Sequence, residues 1–253
     1  MSCVSFIKYA PHESLTRFID FYYVLKTGPE LISKTVPLFA HAGSDVLVNW
    51  SNLPLNFSNN SLLIPGKVYM GGASTSVLFV DAFPNSTFVG VRFKPGGLSV
   101  FYSMKMVEIS NQMIEFQDHH FCGIVGTDEG LTQRLDKFYQ AKYTLATNAA
   151  SAIDAVLQYK GNISVDTLAY ECNVSQRSLE RMFEVNVGVS PKEFINIVRF
   201  QRAVNALQKG SPSGRLQEIA FEYGYYDLAH FVNDIKKHSG LTPSKIWPNT
   251  TRQ

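Results

Sequence analysis

Leu168-Ala169-Tyr170-Glu171-Cys172-Asn173-Val174-Ser175 and Ile219-Ala220-Phe221-Glu222-Tyr223-Gly224-Tyr225-Tyr226-Asp227 are two versions of one phrase. Each is followed by an apolar residue four places on (Leu179, Phe231) and another four further (Phe183, Ile235). Each closes with one formula, Gly188-Val189-Ser190-Pro191-Lys192 and Gly240-Leu241-Thr242-Pro243-Ser244. The offset is 51 residues at the start and 52 from Ser175 and Asp227 onward, so the second copy holds one extra residue, at Tyr225-Tyr226.

The physics of one unit can be read directly. The opening four residues end a short amphipathic helix. Asn173 or Gly224 stops it, because these residue types tolerate the left-handed backbone that follows a helix end. Ser175 or Asp227 then caps a second helix through a side-chain oxygen. Gly188 and Gly240 end that helix, and Ser190-Pro191 and Thr242-Pro243 begin a third by the N-cap and N1-proline rule. Helix, tight turn and capped helix make a helix-turn-helix. One such pattern is weak evidence, and two at matched spacing are strong. Between the copies, Pro191 to Gln208 reads as one long helix ending at Lys209-Gly210, with the loop Ser211-Pro212-Ser213-Gly214 after it. About 18 residues of helix span roughly 27 Å. That approaches the roughly 34 Å between successive major grooves on one face of DNA.

These residues resemble the DNA-binding domain of the AraC/XylS family of bacterial transcription regulators. The matching positions are Ser175, Leu179, Arg181, Phe183, Gly188-Val189-Ser190-Pro191, Arg199, Arg202-Ala203, Ile219-Ala220, Gly224-Tyr225, Asp227, His230-Phe231, Lys236 and Gly240-Leu241-Thr242-Pro243. The resemblance covers about 100 residues, Ala149 to Trp247. It implies two helix-turn-helix units on a linker helix, sequence-specific binding of double-stranded DNA, and transcription regulation, with activators among the family. A homodimer, a small-molecule effector and a contact with RNA polymerase are further expectations.

In the first unit, with Leu179 and Phe183 inward, Gln176, Arg177, Ser178, Glu180 and Arg181 face outward. Arginine can fork onto guanine, and glutamate can accept from cytosine. The family pattern places base readers at Arg177, Glu180 and Arg181. The competing expectation is an Arg177–Glu180 surface pair, and for Arg181 a pair with Glu184 or a phosphate contact. The second unit offers Leu228, Ala229, His230, Val232, Asn233 and Lys236. Leu228 and Ala229 stand where the family often has polar readers, and Asn233 where an arginine is frequent. The first unit is therefore expected to carry most of the specificity, the second phosphate contacts and some T/A preference.

The chain has 253 residues, 23 Lys+Arg against 21 Asp+Glu, and a net charge of +2. Residues 150–253 carry 12 basic and 10 acidic residues, and residues 1–149 carry 11 of each. That balance is modest for a DNA-binding domain, so local placement of Arg177, Arg181, Arg199, Arg202, Lys236 and Lys237 has to compensate. Cys3, Cys122 and Cys172 form neither a disulfide framework nor a zinc pattern. No apolar run reaches the roughly 18 residues of a membrane span, and the N-terminus lacks a secretory signal. The expectation is a cytoplasmic protein.

The first hundred residues differ in character. Residues 12 to 26 are expected to be helical, with Leu15, Phe18, Ile19, Tyr22, Tyr23 and Leu25 on one side. Val46–Trp50, Ser61–Ile64, Ser76–Val80 and Thr87–Phe93 read as short strands between Pro, Gly and Asn clusters, and Leu98 to Met104 as an apolar helix. Gly90-Val91-Arg92-Phe93-Lys94-Pro95-Gly96-Gly97 and Tyr9-Ala10-Pro11 look like the N-terminal domain of one branch of AraC-type regulators. The fold class is thus α+β: a small cupin-like β-barrel or sandwich with helices over residues 1–143, then an all-α double helix-turn-helix over 149–250, hinged near Leu145 to Asn148. An amphipathic helix from Asp128 to Lys142 bears Leu131, Leu135 and Phe138, and serves either dimerisation or packing on its own barrel.

The best small-molecule candidate is Arg92, Lys94, Gly96 and Gly97, where amides ahead of a helix could meet an anion. The alternative is a plain tight turn with Arg92 paired to a local carboxylate. His12, His41, His119, His120, His230 and His238 show no metal-site spacing, and no nucleophile elbow or Walker loop appears. No enzyme activity, metal or cofactor is expected. Two class-distinct alternatives are a repair activator, which would need clustered cysteines, and an interaction protein that has lost DNA binding.

Overall fold

The computed structural model describes residues 4–126, 130–143, 148–210 and 216–247. The expected hinge around Leu145, the loop 211–214, Cys3, and Asp128 at the head of the expected amphipathic helix lie outside these residues.

The N-terminal part contains β1 (Val4–Tyr9), β2 (Ile19–Thr27), β3 (Lys34–Leu38), β4 (Ser44–Asn49), β5 (Leu55–Asn56), β6 (Leu62–Leu63), β7 (Val68–Gly71), β8 (Leu78–Ala82), β9 (Thr87–Phe93) and β10 (Met113–Glu115). Six of these form an antiparallel sheet in the order β1-β2-β9-β4-β7-β10, and β3-β8 and β5-β6 form separate pairs. The second layer does not close onto the first through a ladder, so the architecture is an open sandwich, not a closed barrel.

Alternation along the strands explains both layers. Tyr22, Val24, Val46, Val48, Val68, Met70, Val89, Val91 and Phe93 point to one face and join a core with α1 (His119–Ile124) and α2 (Leu131–Lys142). Tyr23, Leu47, Tyr69 and Phe88 point to the other face, toward Leu55, Leu63 and Val80.

This two-sided burial overturns the helix expected over 12–26. Only Glu13–Leu15 forms a 3-10 turn, and Ile19–Thr27 is a nine-residue strand paired with β1 and β9. A strand apolar on both faces loses its alternation and mimics helical spacing. The aromatic and β-branched run Phe21 to Val24 favours the strand. The helix expected over 98–104 is likewise only a 3-10 turn, Leu98–Val100. Leu98, Val100, Phe101 and Tyr102 are all buried, which a single helical face could not achieve.

The apolar face of α2 packs on its own sheet. Tyr139 meets Phe93 and Phe101 edge-on at 5.4 and 5.0 Å. Tyr22 Oη donates to Asp136 at 2.8 Å.

The helical part comprises α3 (Ala150–Gln158), α4 (Val165–Glu171), α5 (Gln176–Asn186), α6 (Pro191–Lys209), α7 (Leu216–Glu222), α8 (Leu228–Ser239) and α9 (Pro243–Ile246). Ser175 caps α5 and Asp227 caps α8, each accepting from the amide three residues on. Asn173 and Gly224 hold φ of 52° and 75° at the preceding turns. Ser190 and Glu193 form a reciprocal capping box on α6. Thr242 sits at the N-cap of α9 but makes no side-chain bond to the helix amides; its hydroxyl pairs with that of Ser244. Replacing either working cap with alanine, Ser175→Ala or Asp227→Ala, is expected to lower stability by about 1 kcal/mol in denaturant titration. The Thr242→Ala change is expected to cost far less.

Helix α6 divides its buried side chains between two cores. Phe194, Ile195, Ile197 and Val198 pack with the first unit. Phe200, Ala203, Val204 and Leu207 pack with the second. The sandwich touches both units. Ser110 Oγ donates to Gly188 O at 2.6 Å, Ala40 N donates to His238 O at 2.9 Å, and Gly240 lies against Phe79 and Val77.

Candidate functional site

On α5, Leu179 and Phe183 are buried, and Gln176, Arg177, Ser178, Glu180 and Arg181 are exposed. These five are not equivalent. The Gln176 amide donates to Asp166 on α4, and the Ser178 hydroxyl pairs with Ser175 at 2.9 Å. Among the described residues Arg177, Glu180 and Arg181 make no ion pair, and neither the Arg177–Glu180 nor the Arg181–Glu184 pair forms. Three long charged side chains therefore stand unengaged on one exposed face.

On α8, Leu228, Ala229, His230, Asn233 and Lys236 are exposed. The His230 ring rests on Tyr225 at 5.3 Å. Behind this face runs a buried polar chain. Arg199 of α6 stacks over Tyr225 at 5.0 Å, Tyr225 Oη donates to Asp234 at 2.7 Å, and Asp234 meets His238 at 3.2 Å. Burial alone would raise the Asp234 carboxyl, but the His238 ring beside it and the hydrogen bond from Tyr225 outweigh it and hold the carboxyl below its ordinary value. Arg202 similarly lies over Tyr223. Arg199 and Arg202 thus brace the linker helix against the second unit instead of adding to an outward basic face. That corrects the expectation that they compensate for the modest charge.

A second site was not visible in the sequence. Between the six-stranded sheet and β3-β8 lies a cavity of about 890 Å³. Its walls include Phe21, Tyr23, Phe57 and Phe88, and α6 closes one side with Phe200, Gln201, Val204, Asn205 and Gln208. Arg92 lines this cavity and also an adjoining cleft, which it shares with Lys94, Arg17 and Asp154; Lys94 does not reach the cavity itself. Gly96 packs against Ile153 of α3, and the Gly97 amide donates to Lys94 O at 2.8 Å. Arg92 Nε lies 3.0 Å from Asp45 Oδ1. Of the four residues singled out together, Arg92 and Lys94 thus share the cleft and Gly96 and Gly97 form the turn beside it, and the turn and carboxylate pairing weighed against an anion site are both present.

Among the described residues, no cluster of His, Cys, Asp and Glu could hold a metal ion, and no helix is long and apolar enough to cross a membrane.

Known proteins fit this geometry. Residues 168–247 match a helix-turn-helix domain model, and residues 7–115 match a domain of unknown function. The chain is 31% identical over 99 residues to a probable transcription factor, PqrA, of Proteus vulgaris, spanning 39% of this chain and 80% of that one. It is 34% identical over 86 residues to the XylDLEGF operon transcriptional activator of Pseudomonas putida, a match spanning only 27% of that protein. Among solved structures, ToxT from Vibrio cholerae aligns over 88% of this chain and 96% of its own, with a TM-score of 0.53 at 15% identity. A ToxT structure with bound unsaturated fatty acid aligns with a TM-score of 0.50 at 12% identity, over 88% of this chain and 97% of its own. That likeness extends the fold across the sandwich as well as the helices. With its twin capped units on one linker helix, this chain belongs to the AraC/XylS family of sequence-specific DNA-binding transcription regulators.

Proposed function

We propose that base readout rests on the first unit, through Arg177, Glu180 and Arg181, and that an apolar small molecule in the sandwich cavity controls it. Gln176 and Ser178 hold the entry to α5, and Leu228, Ala229, His230, Asn233 and Lys236 supply thymine-methyl, adenine and phosphate contacts from α8. Residues 1–143 act as the sensing domain and 149–250 as the DNA-binding domain. Binding as a homodimer, contact with RNA polymerase and a cytoplasmic location extend the same reading.

The observation that carries the sensing role is the shared helix. Helix α6 closes one side of the cavity, Phe200 and Val204 there also belong to the core of the second unit, and its N-terminal half builds the core of the first. A ligand there touches the element that sets the position of both recognition helices. The fatty acid bound by ToxT supports an apolar class of ligand.

Asn205 is exposed where α6 borders the cavity, so the Asn205→Trp variant sets an indole at the cavity mouth and narrows it. Its affinity for a DNA fragment selected by the full-length protein is expected to change by about 5- to 150-fold, the usual span of allosteric coupling. Fluorescence anisotropy reads this. Unchanged affinity, together with no rise in melting temperature on adding oleate or oleyl alcohol, would remove the sensing role and leave DNA binding intact.

A further inference from the structure

One corner of the cavity is polar, and one oxygen there lacks a hydrogen-bond donor. Asp45 on β4 is 7% exposed, and its Oδ1 has no hydrogen-bond donor, although Arg92 Nε approaches to 3.0 Å. That approach is electrostatic, because no N–H points along it. His41 completes the corner, with Nδ1 bonded to Gly43 O at 3.0 Å. Burial, reinforced by the Arg92 charge, lowers the His41 pKa to about 3. The ring is therefore neutral near pH 7, with its proton assigned to Nδ1 and Nε2 left as an acceptor.

The corner thus presents two acceptors, Asp45 Oδ1 and His41 Nε2, and its charges cancel. Burial already raises the Asp45 carboxyl against the pull of Arg92 and of the neighbouring Tyr23 hydroxyl. A second carboxylate here would lie beside Asp45 in an apolar enclosure, where like charges repel strongly and desolvation is costly. A neutral donor meets no such penalty and satisfies the orphaned oxygen. The other charged side chain lining the cavity, Lys34, is exposed.

We infer that the cavity selects an uncharged, largely apolar molecule carrying a hydrogen-bond donor, a hydroxyl or ring N–H, which docks on Asp45 Oδ1 with His41 Nε2 as a further acceptor. The inference rests on the sensing role proposed above and specifies its ligand. It sets this chain apart from the fatty-acid-bound ToxT, since an acid is the class this corner rejects.

The test compares three probes of one shape, 2-naphthol, its methyl ether and 2-naphthoate, by calorimetric titration of full-length protein at pH 7. The naphthol is expected to bind about tenfold more tightly than the ether, which lacks the donor, and than the naphthoate. In Asp45→Asn, Arg92 loses its counter-charge, and the preference is expected to swing toward the naphthoate. The double variant Asp45→Asn/Arg92→Gln is expected to bind all three within about threefold of one another, since apolar burial alone remains. Tighter binding of the naphthoate to the unaltered protein overturns the inference, and its loss in Lys34→Ala would then place the anchor at Lys34. Equal binding of naphthol and ether overturns it as well. If none of the three binds, the sensing role itself fails, an outcome distinct from a reversed preference.

Discussion

Arg177→Ala/Arg181→Ala is expected to lose about 10²- to 10⁴-fold in affinity for its selected DNA, as two forked arginine–guanine contacts worth roughly 1–3 kcal/mol each are removed. Fold stability is expected to stay within about 0.5 kcal/mol, because neither side chain has an ion-pair partner to lose. Affinity for unrelated DNA is expected to fall much less, and the slope of log affinity against log salt to shrink by no more than about two. Fragment selection at two salt concentrations, followed by anisotropy on the enriched motif, reads all three quantities. A uniform loss on selected and unrelated DNA alike would make these arginines phosphate clamps and move base readout elsewhere. The matching change on α8, Asn233→Ala, is expected to cost well under tenfold. A loss there as large as that of the arginine pair would sink the assignment of specificity to the first unit.

Gly188→Ala carries the largest expected effect on stability. This glycine holds φ at +94°, and a Cβ on it would lie 2.6 Å from Met106 O and against Ser110 Oγ. The left-handed backbone costs a non-glycine residue about 1–3 kcal/mol. The clash adds about 1–3 more, because Met106 O belongs to backbone and cannot rotate away. A total of about 2–6 kcal/mol falls on the contact between α5 and the sandwich, where Ser110 also bonds Gly188 O. Thermal unfolding is expected to broaden or split into two transitions as the parts uncouple. The isolated fragment 149–253 bearing the same change is expected to feel only the backbone strain. A full-length variant melting within a degree or two of the original would show that the loop at Met106 yields freely.

The helical half was legible because its information is local. Ser175, Asp227, Asn173, Gly224 and the Ser190-Pro191 start each fix a turn through their own side chain or backbone preference, and each does so in the structure. The strand Ile19–Thr27 was misread for the opposite reason. Its two faces are buried against different partners, so no period of two survives in the sequence. Arg92 stood out through its motif and reaches the cavity, whereas Lys94 shares only the adjoining cleft with it and Gly96 and Gly97 form the turn beside that cleft. The cavity itself has no local signature. It is assembled from several strands and from Phe200 to Gln208, residues whose spacing on α6 marks only a helix. Asp45 drew no notice because an isolated aspartate in a strand-forming run gives no sign that it will be buried beside Arg92.

The glycine ending each unit, Gly188 in the first and Gly240 in the second, abuts the sandwich, one at Met106 and Ser110 and the other at Val77 and Phe79. The sandwich is therefore a third body clasping both readers at corresponding points, and it works as a gauge. The pitch between α5 and α8 is set jointly by α6 and by these sandwich contacts, and with the readout proposed above the operator spacing that the protein accepts is expected to follow it. Sequence changes around residues 77–79 and 106–110 can thus retune which operator geometries are tolerated while the preferred letters stay the same.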